Sequence, residues 1–133
     1  MRNAECGVRN GEWGMGNENL KNRTKTFALD VIKLVETLPA GRTTANIIGR
    51  QLMRSATSVG SNYRAACRAK SPADFIAKMG IVEEESDECL YWLELLVEAN
   101  IIDQDKTQML EAEANELLAI TISSIKTAKR NKK

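Results

Sequence analysis

The sequence predicts an all-α protein, folded as an antiparallel up-down-up-down four-helix bundle. Three observations carry that reading. Apolar residues recur at steps of three and four in four separate segments, the period of a helix buried on one side. The segments are joined by short connections built on Pro39-Ala40-Gly41, Lys70-Ser71-Pro72 and Asn100 to Asp103, which makes neighbouring helices antiparallel. No stretch shows the alternation of a strand. At 133 residues, the chain is long enough for one domain with a real core.

Residues 1–23 lack periodicity. Gly7, Gly11, Gly14 and Gly16 lie among Asn and Glu, the composition of a flexible N-terminal arm, and Trp13 reads as a stray aromatic within it. The bundle is expected over residues 24–128. Its first helix runs from Thr24 to Leu38 on a stripe of Phe27, Val31, Leu34, Val35 and Leu38, and ends at the Pro-Ala-Gly step. Thr43 or Thr44 is the expected cap of the second helix, which reaches Ala69. Its core stripe is Ile48, Leu52, Ser55, Val59, Tyr63 and Ala66. Ser71-Pro72-Ala73-Asp74 then combines an N-cap serine, a proline at the first helical position and a carboxylate in the first turn. The third helix buries Phe75, Met79, Val82, Ser86, Cys89, Leu93 and Leu96. Gly60 and Gly80 fall at one level of this hairpin and point to close approach of the two helices. Asp103 is the expected cap of the fourth helix, whose stripe is Leu110, Ala114, Leu117, Thr121, Ile125 and Ala128. Residues 129–133 form a basic C-terminal tail.

The net charge is only +1, but its distribution is uneven. Between Glu36 and Asp74 every charge is positive: Arg42, Arg50, Arg54, Arg64, Arg68 and Lys70. From Glu83 to Asp105 every charge is negative. Arg50, Arg54, Arg64 and Arg68, with Thr57 and Ser61 in the gaps, lie roughly 200° from the core stripe and so face outward. Glu84, Asp87, Glu94 and Glu98 form a second outward stripe. The basic row spans about 27 Å and can neutralise phosphates along a nucleic-acid backbone. It has no base-reading chemistry, so binding through it would depend little on sequence. Lys126, Lys129 and Arg130 extend the basic surface. The competing reading is that arginines and carboxylates pair, within one bundle or between subunits, and Glu85 borders the core stripe where it can meet Arg54.

Catalytic and metal chemistry have little to build on. The sequence has no histidine, and Cys6, Cys67 and Cys89 are not at metal-ligand or CxxC spacing. The carboxylates Glu83, Glu84, Glu85, Asp87 and Glu88 lack the histidines of a bundle di-metal site, so they read as a solvated or salt-bridged face. Ser55-Ala56-Thr57-Ser58 reads as tight helix packing, because a nucleophilic serine needs a base. We expect no enzyme, no metal and no cofactor. Three scattered cysteines fit a reducing cytoplasm, and no apolar run is long enough to span a membrane.

Arg54-Ser55-Ala56-Thr57-Ser58-Val59-Gly60-Ser61-Asn62-Tyr63-Arg64 resembles the central motif of the four-helix-bundle family encoded by intervening sequences in bacterial 23S ribosomal RNA genes. Ser71-Pro72-Ala73-Asp74-Phe75 resembles the family's next motif, and Glu85, Glu88, Tyr91, Trp92 and Leu93 its third. The likeness covers roughly Thr26 to Ala128, with Ala65 where the family usually carries a glutamate and Ser61 where it commonly carries an alanine. The resemblance implies a small cytoplasmic bundle assembled as a homopentamer. Similarity to the accessory proteins of diversity-generating retroelements implies RNA, DNA or a reverse transcriptase as partner. The reading is a non-enzymatic oligomeric bundle that binds nucleic acid or a nucleoprotein through Arg42, Arg50, Arg54, Arg64, Arg68, Lys70, Lys126, Lys129 and Arg130. Glu84, Asp87, Glu94 and Glu98 are its candidate subunit interface. The alternative is an interaction module whose charged stripes serve self-assembly only.

Overall fold

A computed structural model describes residues 19–131. Four α-helices make up almost all of this region: α1, Leu20–Glu36; α2, Thr43–Cys67; α3, Pro72–Glu98; and α4, Gln108–Asn131. Each helix packs on the next in sequence, and α1 also packs on α4. The order of contacts shows α1 and α2 to be antiparallel: Gly49 abuts Val35 and Leu38, whereas Gly60, further along α2, abuts Thr24, earlier on α1.

The sequence stripes are the buried faces. All seven expected core positions of α3 and all six of α4 are buried. On α2 the expected face is buried except for half-buried Ile48, and Ala45, Gly49 and Ala56 join it. Leu52, Val59, Phe75, Leu93 and Leu96 are sealed from solvent. Burying one such side chain contributes about 1.5–3 kcal/mol, so this shared core is the main source of stability.

Three helix starts differ from expectation. α1 begins at Leu20 rather than Thr24, because Leu20 continues its stripe four and seven residues before Thr24 and Phe27, and both Leu20 and Thr24 are buried. The expected arm boundary at residue 23 therefore moves back into the bundle; Trp13 and the rest of the arm lie outside the described residues. Arg42, extended at φ −93°, is the N-cap of α2, and neither Thr43 nor Thr44 caps it, since both are already inside the first turn. Asp103 opens a 3-10 turn, Gln104–Lys106, without a side-chain cap bond. α4 starts after it at Gln108, where the buried Thr107 hydroxyl bonds the Gln104 carbonyl and the Glu111 carboxylate.

The α2–α3 turn follows the sequence closely. Ser71 Oγ accepts from Asp74 N at 3.0 Å, and Asp74 accepts from Lys70 N and from Lys78 Nζ. These donors hold the Asp74 carboxyl below its ordinary range, Lys78 most of all. Gly41 takes φ +81°, a conformation open to glycine, in the first connection. α3 ends in a Schellman motif: Asn100 adopts φ +60°, Ile101 N bonds Leu96 O, and Asn100 N bonds Val97 O. The paired glycines do not mark an α2–α3 approach. A Cβ on Gly60 would meet Thr24 of α1 at 3.5 Å, and one on Gly80 would meet nothing within 4 Å. The tight contact is at Gly49, where a Cβ would sit 3.0 Å from Leu38 Cδ1.

Candidate nucleic-acid and self-association surfaces

Arg50, Arg54, Thr57, Ser61, Arg64 and Arg68 all lie on the exposed side of α2. Arg42 precedes the helix, Lys70 stands in the turn after it, and both are exposed. On α3, Glu84, Asp87, Tyr91, Glu94 and Glu98 share one exposed row. The rows diverge because each helix turns its apolar face inward, and α2 and α3 are neighbours with different outward directions.

Arg54 is where the basic row of α2 meets carboxylates of α3. Its Nη1 donates to Glu85 Oε2 at 3.3 Å, and its Nη2 donates to Glu88. Ser55 Oγ, fully buried, donates to the same Glu88 carboxylate at 2.6 Å. The Ser55 hydroxyl is the largest influence holding the Glu88 carboxyl below its ordinary value, with the Trp92 indole and Arg54 adding to it. Trp92 Nε1 is buried close to that carboxylate but outside good hydrogen-bond geometry. The carboxylates in turn hold the Arg54 guanidinium more firmly protonated, Glu85 foremost. The expected Arg54–Glu85 contact is therefore present, and Arg54 is not a free member of the basic row.

The remaining candidates are unpaired. Among the described residues the ion pairs join Arg23 to Glu113 and Glu116, Arg54 to Glu85 and Glu88, and Lys78 to Asp74. Arg42, Arg50, Arg64, Arg68, Lys70, Lys126, Lys129 and Arg130 take no part in them, nor do Glu84, Asp87, Glu94 and Glu98. Lys126, Lys129 and Arg130 are exposed on the last turns of α4, which stays helical to Asn131. The basic tail expected from residue 129 thus begins as helix, where cations complement the helix dipole.

Sequence reasoning missed two features here. The sequence reading places Ser55 in helix packing, yet it is the buried donor to Glu88; the signal is its place beside Arg54, facing the Glu85–Glu88 pair across the hairpin. Tyr91 stands in the acidic row, which the charge pattern by itself does not reveal. It is 52% exposed and meets Trp92 edge to face, with ring centroids 5.0 Å apart. Among the described residues, no group of three or more His, Cys, Asp or Glu side chains is placed to hold a metal. No helix of that region is long and apolar enough to cross a membrane.

A family model for the 23S rRNA-intervening sequence protein matches residues 18–123. No curated protein matches the chain. Among solved structures, the chain is similar to a protein of unknown function from the S23 ribosomal protein family of Bacteroides thetaiotaomicron. The two are 34% identical, with a TM-score of 0.74, over 80% of this chain and 94% of the other. The chain belongs to the 23S rRNA-intervening sequence protein family.

Proposed function

We propose that this protein is a non-enzymatic, self-associating helical bundle of the cytoplasm that binds nucleic acid or a nucleoprotein through its basic surface. The observation that carries the reading is that eight of the nine candidate cations are exposed and form no ion pair among the described residues, and only Arg54 does. Unpaired guanidinium and ammonium groups on rigid helices suit phosphate contact, and repetition around a symmetric ring of five copies would turn weak contacts into useful avidity. RNA, DNA or a reverse transcriptase–nucleic-acid complex fits this chemistry equally. The four exposed, unpaired carboxylates of α3 favour a second reading, in which both stripes serve self-assembly alone.

Fluorescence anisotropy with labelled RNA and DNA separates the two. Binding should be measurable at about 50 mM salt and weaken by about 100-fold or more at 200 mM, as expected if each site neutralises about five phosphates. Reversal of Arg68, Lys70, Lys126 and Lys129 to glutamate should abolish it while circular dichroism stays unchanged. No binding by the wild type at about 50 mM salt would leave self-assembly as the function.

A further inference from the structure

The exposed rows of α2 and α3 have the same spacing read in opposite directions. From Arg50 the α2 row advances by four, three, four and three residues, through Arg54, Thr57 and Ser61 to Arg64. From Glu98 the α3 row retreats by four, three, four and three, through Glu94, Tyr91 and Asp87 to Glu84. All ten residues are exposed.

We propose that α2 of one copy docks antiparallel on α3 of a second copy in this register. Arg50 then lies opposite Glu98, Arg54 opposite Glu94, Thr57 opposite Tyr91, Ser61 opposite Asp87 and Arg64 opposite Glu84. The inference rests on the self-association in the proposed function and identifies the surface that performs it.

Alternating steps of three and four are the seam along which two helices interdigitate. Antiparallel docking also opposes the two helix dipoles, which favours it over the parallel arrangement. Arg50 and Arg64, which form no ion pair in their own chain, stand about 21 Å apart, as do Glu84 and Glu98. Midway between the two ion pairs, the half-exposed Tyr91 ring meets Thr57, with small Ser61 one step along, so the row leaves room for it. Arg54 stays tied to Glu85 and Glu88 and is still 51% exposed, so Glu94 adds a third carboxylate to it without disturbing the first two.

A parallel register also exists on paper, with Arg54 opposite Glu84, Arg64 opposite Glu94 and Arg68 opposite Glu98. It sets Arg50 against Gly80, so the first arginine of the row meets no carboxylate. The two registers differ in symmetry. α2 and α3 run antiparallel within one chain, so antiparallel docking keeps successive copies in the same direction and yields a heterologous, ring-closing contact. Parallel docking requires inverted copies and gives a two-fold dimer.

The register sets Arg42, Arg68, Lys70 and the end of α4 outside the seam, and these are the cations left for nucleic acid.

Charge exchange on the full chain tests the register, read by sedimentation velocity at micromolar concentration and about 50 mM salt. The wild type should assemble. Arg64→Glu should weaken each contact about 10-fold, by replacing an attraction with a like-charge repulsion, and shift the protein toward monomer. Glu84→Arg in the same chain should restore assembly, and Glu84→Arg alone should dissociate it as Arg64→Glu does. Circular dichroism identifies any variant that fails to fold, and the reciprocal variant then carries the test. Rescue of Arg64→Glu by Glu94→Arg instead would overturn the antiparallel register. An unchanged mass in Arg50→Glu/Arg64→Glu, or a monomeric wild type, would overturn the docking itself. A wild-type monomer that still binds nucleic acid would remove the docking and leave that binding standing.

Discussion

Replacing Ser55 by alanine probes a buried hydroxyl that supports a surface ion pair. Ser55 is fully buried and donates to Glu88 at 2.6 Å, a charge-assisted bond of a kind worth about 1.5–3 kcal/mol. Glu88 retains 42% of its side-chain exposure, and water or Arg54 can take up the released lone pair, so screening reduces the loss to about 1.5 kcal/mol. Alanine is the better helix former and returns about 0.5 kcal/mol. The expected net cost at pH 7 is about 1 kcal/mol, or about 3 °C in Tm for a chain of this size. The Glu88 carboxyl is held low in the folded protein, first by Ser55. Its contribution is therefore complete above the unfolded carboxylate value near 4.3 and is lost as pH falls through the lower folded value. Urea unfolding followed at 222 nm, at one protein concentration, should show the full deficit at pH 7 and a smaller one at pH 3. An equal deficit at both pH values, or a Ser55→Ala variant as stable as the wild type at pH 7, would refute the argument. Glu88→Gln should shrink the effect of Ser55→Ala in a double-mutant cycle.

Two further outcomes follow from backbone and burial. Gly60→Ala should stabilise by up to about 1 kcal/mol, because its Cβ meets Thr24 at an ordinary 3.5 Å. Gly49→Ala should gain less or lose, since its Cβ meets Leu38 at 3.0 Å and Val35 at 3.3 Å; Gly41→Ala, at φ +81°, should cost about 1 kcal/mol. Urea midpoints rank the three. Iodoacetamide at pH 8 should modify half-buried Cys67 well before Cys89, whose thiol is buried and pushed up to about 12 by that burial, with Glu85 and Glu88 adding to the rise. Peptide mass spectrometry reads the order, and faster labelling of Cys89 in the native protein would contradict it.

The fold was legible because each helix repeats its apolar stripe for several turns. Phe75 through Leu96 and Leu110 through Ala128 could be assigned residue by residue, and Ser71-Pro72 marked its helix start by local chemistry alone. Helix starts without such a cap were not legible. Arg42 caps α2 by backbone conformation only, and the 3-10 turn before α4 satisfies Thr107 in a way no local pattern announces. The outward placement of the charged rows also followed from period. The place of Glu85 beside the core stripe announced its contact with Arg54. What the period could not tell is that Glu88 joins that contact, whereas Arg50 and Arg64, on the same row, form no pair. That difference depends on the angle between two packed helices, which spacing within one helix does not contain.

The opposite charges of the α2 and α3 rows also decide which solution variable can act on this molecule. The sequence has no histidine, the side chain whose ordinary ionisation is centred between about pH 5 and pH 8. Ionic strength is different. Exposed charges more than about 8 Å apart are largely screened at physiological salt, and the screening length reaches about 30 Å at 10 mM, longer than either row. At low salt each row acts as a single extended pole, and at physiological salt as a set of separate contacts. The protein thus lacks the usual side chain for sensing moderate acidification and is responsive to salt.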